Sequence, residues 1–136
     1  MQIVYSDGGC KNNVGAWAYV VLNESEELIH EGYGRVMVST NNRSELIGVI
    51  NGIKASSHNA LRVFSDSAYI VNCFLLKWHD QWLRTNWKDG TIKNKDLWEE
   101  LFKVIENKQI EWIHVYGHTG IQWNEYVDKL VHSVLK

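Results

Sequence analysis

The hydrophobic period of this chain first changes near Thr40, and that change limits the folds open to it. Ahead of Thr40 the apolar residues come in β-rich runs. Ile3-Val4-Tyr5-Ser6 alternates, Ala16 to Leu22 forms a second run, and Leu28 to Val38 a third that Gly32 and Gly34 interrupt. Beyond it Leu46, Val49, Ile50 and Ile53 take helical spacing. Gly8-Gly9 is predicted to end the first strand, with Asn12-Asn13-Val14-Gly15 as a turn. Asn23-Glu24-Ser25-Glu26 makes a second polar turn, so three strands with short connections predict an antiparallel meander.

Asn41 or Asn42 is predicted to cap the helix that follows, with Glu45 three residues after Asn42 as in a capping box. Leu61 to Ser65 is a fourth strand, and reaching it through a helix favours a parallel neighbour. Ser67 to Leu76 and Trp78 to Leu83 read as short helices, and Thr85 to Lys93 as a polar loop with an Asp89-Gly90 turn. Asp96 to Lys108 places Leu97, Leu101, Val104 and Ile105 on one helical face, and Ile110 to Tyr116 is a fifth strand. Val127, Leu130, Val131, Val134 and Leu135 mark a final helix. The order is βββ, α, β, α, α, β, α: an α/β chain, with residues 1–136 read as one domain.

An apolar fraction of 45% and a charged fraction of 22% are those of a globular chain with a core of its own. The net charge of −2 supplies no global field for nucleic acid. Between Lys77 and Lys95, however, Lys77, Arg84, Lys88, Lys93 and Lys95 face only Asp80 and Asp89. The two cysteines, Cys10 and Cys73, form no Cys-x-x-Cys pattern and read as free thiols of a reducing, cytoplasmic compartment. The N-terminus reaches Asp7 too early for a secretory signal, and no apolar run has the length of a membrane span.

Four acids stand where acids are hard to explain. Asp7 and Asp66 each follow a strand-like run, and Glu45 and Asp128 each border the apolar stripe of a helix. Singly, each has an ordinary explanation: turn residue, helix cap, capping box, or first-turn charge. Together they strain that explanation, because gathered carboxylates need a counter-charge, and a divalent cation is the natural one. His118, between Gly117 and Gly120, has the side chain best suited to proton transfer near neutral pH. A lone loop histidine is more often simply solvated. His30, His58, His79, His114 and His132 show no metal-ligand spacing and read as structural or surface residues. Trp78 and Trp82, spaced i, i+4, lie with Trp87 and Trp98 among the bases of the Lys77–Lys95 stretch. Aromatics amid bases suit a nucleic-acid backbone; the competing explanation is a hydrophobic anchor for a small helical lobe.

Read as an ordered set, these segments resemble a type 1 ribonuclease H over essentially the whole chain. The resemblance rests on Tyr5-Ser6-Asp7-Gly8-Gly9-Cys10, on Thr40-Asn41-Asn42-Arg43-Ser44-Glu45-Leu46 and on Ser65-Asp66-Ser67-Ala68-Tyr69-Ile70-Val71. Lys93-Asn94-Lys95-Asp96-Leu97-Trp98, Val115-Tyr116-Gly117-His118-Thr119-Gly120, and Asn124-Glu125 with Asp128 complete it. It implies a mixed five-stranded sheet with helices on both faces, and endonucleolytic cleavage of the RNA strand of an RNA/DNA hybrid, leaving 3′-hydroxyl and 5′-phosphate ends. It implies Asp7, Glu45, Asp66 and Asp128 as ligands of two Mg²⁺ ions, with Mn²⁺ as a substitute. Asp7 and Asp128 would share one ion; Asp7, Glu45 and Asp66 the other. His118 would shuttle a proton or aid product release, with Glu125 assisting. Gly8 and Gly9 would let the backbone approach the RNA minor groove, along which Cys10, Asn13 and Asn42 fall. Thr40 and Asn41 match a DNA-phosphate pocket, Trp78 an aromatic against DNA sugars, and Trp82, Trp87 and Lys88 a basic protrusion. A monomer is the default, and no membrane partner is implied.

The chain departs from the family pattern in places. Gly9 stands for a common Ser, Val14 for a frequent turn Pro, Ser44 for a common Met, and Ala68 for a groove-reading Gln. None is one of the four acids. Two other readings compete: a catalytically silent hybrid-binding module, which would not need such charges opposite phosphates, and another nuclease of the same fold, such as an integrase or junction resolvase.

Overall fold

The computed structural model describes residues 1–117 and 119–136. Three antiparallel strands open the chain: β1 (Gln2–Lys11), β2 (Val14–Leu22) and β3 (Leu28–Val36). After α1 (Asn41–Ala55) comes β4 (Ala60–Ser65), which lies parallel to β1 on its other side. Then follow α2 (Ala68–Leu75), α3 (Trp78–Arg84), the short turn α4 (Asn86–Gly90) and α5 (Lys95–Val104). The chain ends with β5 (Gln109–His114), parallel to β4, and α6 (Gln122–Leu135). The sheet order is β3-β2-β1-β4-β5, the mixed five-stranded arrangement expected from the sequence.

Alternation along β1 sends its side chains to two cores. Val4 joins Tyr19, Leu46, Val49, Ile50 and Ile53 under α1, together with Trp82, Trp87 and Trp98. Ile3 and Tyr5 join Ala18, Val20, Val127 and Val131 under α6. Helices therefore cover both faces, and β1, buried on both, carries the site.

Several boundaries differ from the sequence reading. Gly8-Gly9 does not end β1, because β2 pairs with it through Lys11↔Val14. The turn is only Asn12-Asn13, with φ of 54° and 66°, the two left-handed positions of a type I′ hairpin that asparagine tolerates. β1 is thus longer than the Ile3–Ser6 run, and Asp7 sits within it. β3 stops at Val36, and Ser39 N donates to Asn13 O at 2.8 Å, drawing the 37–40 segment onto the hairpin. Thr40, not an asparagine, caps α1: its Oγ1 accepts from Arg43 N at 3.2 Å. Glu45 is free of any capping box and turns toward β1. α5 ends at Val104 and β5 at His114, short of the predicted Lys108 and Tyr116.

The 85–93 segment is not a plain loop. Trp87, Lys88 and Asp89 take left-handed backbone angles, φ of 56°, 51° and 57°, in the short turn α4. The turn delivers Trp87 into the core, where it stacks on Trp82 at a centroid distance of 5.3 Å. The segment's polar composition conceals this, since Trp87 is its one aromatic residue. Trp98, fully buried, donates Nε1–H to Tyr69 Oη at 2.8 Å and satisfies its polar handle.

Candidate metal centre

Ser6 pairs with Ser65 across the parallel β1/β4 ladder, and Asp7 and Asp66 are the next residues on the two chains. Parallel register therefore sets two carboxylates side by side where the β1/β4 ladder ends, close to the usual position of ligands in parallel sheets. Glu45 arrives from α1 through a close backbone approach. A Cβ on Gly8 would collide with the Glu45 amide nitrogen and the Ser44 carbonyl, so glycine is what lets α1 lie directly on β1. Gly8 N–H, beyond the end of the β4 pairing, donates to Glu45 Oε1 at 3.1 Å.

Carboxylate oxygens of Asp7, Glu45 and Asp66 lie within 4.8 Å of one another. Asp128, midway along α6, lines the same cleft of about 770 Å³ with Gly8, Gly9, Cys10, Asn41 and Asn42. Its Oδ1 is 3.4 Å from His132 Nε2. Burial, then the charge of Asp66, pushes the Asp7 carboxyl up to about 8, with the nearby Glu45 carboxyl and Gly8 amide acting against the rise. Glu45 is driven well above the ordinary range by burial and then by Asp7 and Asp66. Asp66 is raised by burial and by Asp128, with the Asp7 hydrogen bond and His114 pulling the other way. Four acids on one cleft cannot all ionise without a counter-charge.

The donor set fits a hard divalent cation. All the candidate ligands are carboxylate oxygens, the ligands Mg²⁺ prefers. Glu45 Oε2 is buried with no hydrogen-bond partner among the described residues, an oxygen left over after Gly8 has taken Oε1.

The remaining sequence-predicted residues divide by position. Gly8, Gly9, Cys10, Asn41 and Asn42 share the cleft with the acids. Asn13, in the hairpin turn, and Thr40, at the α1 cap, lie at its approach rather than in its lining. Trp78 is half-buried and tilts against Trp82 at 6.2 Å. Trp82 and Trp87 are only 5% and 8% exposed, which corrects their assignment to a contact surface: they anchor the lobe. Lys88 is exposed on the turn beside them. Glu125 Oε1 accepts from Gly120 N at 3.1 Å, and His118 lies outside the described residues. Sequence reasoning passed over Lys11, His132 and Lys136, which join the cleft lining, and His114, which reaches the Asp66 backbone. The i, i+4 spacing of His132 from Asp128 was a legible signal; the approach of His114 depends on the parallel register and was not.

A carboxylate-centred site at the end of the parallel ladder in this mixed sheet is that of a metal-dependent nuclease. The family model described as RNase H matches residues 1–136. The chain is 37% identical over 139 aligned positions to ribonuclease H of Thermoanaerobacter sp. (strain X514), covering 98% of this chain and 88% of that one. It is 34% identical to ribonuclease H of Wolbachia pipientis wMel, covering 98% and 94%. Among solved structures it resembles LC9-RNase H1, a type 1 RNase H with the type 2 active-site motif (TM-score 0.83, 28% identity, 97% of this chain and 70% of that one). The fold is shared with the N-terminal RNase H domain of rv2228c from Mycobacterium tuberculosis, solved as a maltose-binding-protein fusion (TM-score 0.79, 19% identity, 98% and 92%). The chain belongs to the RNase H family. Its activity is that of a ribonuclease H, hydrolysis of RNA in RNA/DNA hybrids.

No helix of the described residues is long and apolar enough to cross a membrane.

Proposed function

We propose that the site holds two Mg²⁺ ions, one between Asp7 and Asp128 and one among Asp7, Glu45 and Asp66, and cuts the RNA strand to leave 3′-hydroxyl and 5′-phosphate ends. The observation that carries this reading is the convergence of Asp7, Glu45 and Asp66, together with a buried Glu45 oxygen that has no hydrogen-bond partner among the described residues. A pair of such ions, when bound, stabilises both the attacking and the leaving oxygen of an in-line displacement at phosphorus. Mn²⁺, which also accepts carboxylate oxygens, substitutes for Mg²⁺.

The chain's own residues then have separable tasks. Asp7 is the shared ligand and sits on β1, the central strand of the sheet. Gly8 N–H holds Glu45 Oε1, which leaves Oε2 available to a cation. The RNA minor groove runs along Gly8, Gly9, Cys10, Asn13 and Asn42, where contact with the 2′-hydroxyl separates RNA from DNA. Thr40 and Asn41, at the N-terminus of α1, receive a DNA phosphate. Trp78 offers its exposed edge to the DNA sugars, and Lys88 adds charge on the adjacent turn. Glu125 assists His118 in proton movement and product release. The catalytic unit is the monomer, residues 1–136, acting in the cytoplasm.

A single panel tests the reading. The protein is incubated with end-labelled RNA/DNA hybrid, duplex RNA and duplex DNA, in Mg²⁺, Mn²⁺ or EDTA. Cleavage confined to the hybrid's RNA strand, dependent on the metal, is expected. Equal cutting of duplex DNA would move the chain to the integrase or resolvase class. Hybrid binding without cleavage under every condition would make it a silent module.

A further inference from the structure

Asp66 is the single residue between a strand that ends at Ser65 and a helix capped by Ser67. Both neighbours are held. Ser65 O accepts from Val115 N at 2.9 Å, and Ser65 Oγ accepts from Ser67 N at 3.1 Å. Ser67 Oγ in turn accepts from Ile70 N at 3.3 Å, and Ser67 O from Val71 N at 3.1 Å. The Asp66 carbonyl belongs to neither ladder: the strand's last carbonyl is that of Ser65 and the helix's first is that of Ser67. Among the described residues its partner is His114 Nε2, at 3.3 Å.

His114 closes β5 and is the register partner of Ser65. A carbonyl only accepts, so Nε2 carries the hydrogen. The Tyr116 ring packs edge-to-face with the imidazole, with centroids 4.8 Å apart and planes at 67°. The Asp66–Ser67 peptide plane is thereby pinned from β5, and with it the direction in which the Asp66 side chain leaves the backbone. That side chain is one of the three whose oxygens converge.

We propose that His114 is a positioning residue for the metal centre: through the Asp66 carbonyl it holds Asp66 in its ligating orientation. The inference rests on the reading of Asp66 as a cation ligand. Groups that orient a ligand without touching the ion commonly matter about 10–100-fold in metal affinity. The ring itself is not required, only a donor at that reach. Gln offers an amide N–H there; Phe keeps the aromatic packing against Tyr116 and offers none.

The test is calorimetric titration of Mg²⁺, and separately of Ca²⁺, into the metal-free protein and into His114→Phe, His114→Gln and Asp66→Asn, each first checked for folding by circular dichroism. If His114→Phe does not fold, His114→Leu replaces it. His114→Phe is expected to bind cation about 10-fold more weakly, with His114→Gln restored to within about threefold of the parent. Unchanged affinity in His114→Phe, while Asp66→Asn binds weakly, would overturn the positioning role and leave the metal centre intact. A loss shared equally by Phe and Gln would also overturn it, since packing rather than the hydrogen bond would then be responsible. Unchanged affinity in Asp66→Asn as well would instead refute the reading of Asp66 as a ligand.

Discussion

Gly8 and Glu45 meet backbone to side chain, with the amide of one donating to Oε1 of the other at 3.1 Å, and this contact joins α1 to β1 at the metal centre. It exists because position 8 has no Cβ to hold the helix away.

Gly8→Ala is therefore expected to push α1 off the strand. The cost should be about 1–3 kcal/mol, the usual range for overpacking where backbone cannot yield, with cleavage activity lost alongside. Gly9→Ala is the control: its Cβ would stand 3.1 Å from Val131 Cγ1, a milder contact and with a side chain rather than with backbone. Urea denaturation of the two variants should rank Gly8→Ala clearly below Gly9→Ala; equal midpoints would contradict the account of α1 docking.

In the absence of divalent cation the acid cluster destabilises the fold at neutral pH. Asp7 has its folded-state pKa raised to about 8, against 3.8 for the ordinary group, chiefly by burial. The folded protein therefore holds a proton that the unfolded chain has released, so stability present below pH 4 is lost as pH rises through about 8. Asp7→Asn removes this penalty and should stabilise the metal-free protein at pH 7, on the order of 1–2 kcal/mol. Mg²⁺ should flatten the pH dependence, since cation binding displaces the protons. Chemical denaturation at pH 5 and pH 8, with EDTA or Mg²⁺, checks both; a metal-free protein more stable at pH 8 than at pH 5 would count against it.

Arg43 and Asp96 give the opposite sign at low pH. The guanidinium donates to both carboxylate oxygens, at 3.0 and 2.8 Å, and holds Asp96 at about 2. Its contribution is present above pH 4 and lost as pH falls through about 2. Asp96 is largely exposed, so solvent screening limits Asp96→Ala to about 0.5–1 kcal/mol at pH 7. The difference between parent and variant should vanish below pH 2; a difference that persists there would point to packing instead.

Much of this was legible in the sequence, and the rest failed for identifiable reasons. The switch from strand runs to the Leu46, Val49, Ile50, Ile53 spacing marked the passage from meander to α1, and helix-linked Leu61–Ser65 marked the parallel strand. The four acids stood out by position, each following a strand-like run or bordering the apolar stripe of a helix. Gly8-Gly9 misled, because a glycine pair reads as a break when the reason for glycine is a helix resting on the strand. Asn42 and Glu45 matched a capping-box spacing by coincidence, and the pull on Glu45 comes from Gly8, distant in sequence. His114 carried no local signal at all, since only the β4/β5 register brings it to Asp66.

The tryptophans should separate by experiment as they do by burial. Trp82→Ala empties a site in the core beneath Trp98 and is expected to cost about 3–5 kcal/mol of stability. Trp78→Ala, half-exposed, should spare most of the stability and weaken hybrid binding by on the order of 1 kcal/mol, roughly fivefold in Kd. Single-turnover rates at saturating enzyme would remain near the parent. An unchanged Kd for Trp78→Ala would refute the sugar contact.

The most direct measurement is single-turnover cleavage of a labelled RNA/DNA hybrid by Asp7→Asn in Mg²⁺, with hybrid binding and circular dichroism measured on the same preparation. A folded protein that binds the hybrid and leaves the RNA strand essentially intact is expected, because Asp7 is the proposed ligand of both ions. Cleavage at the parent rate would contradict the carboxylate centre as the seat of the chemistry.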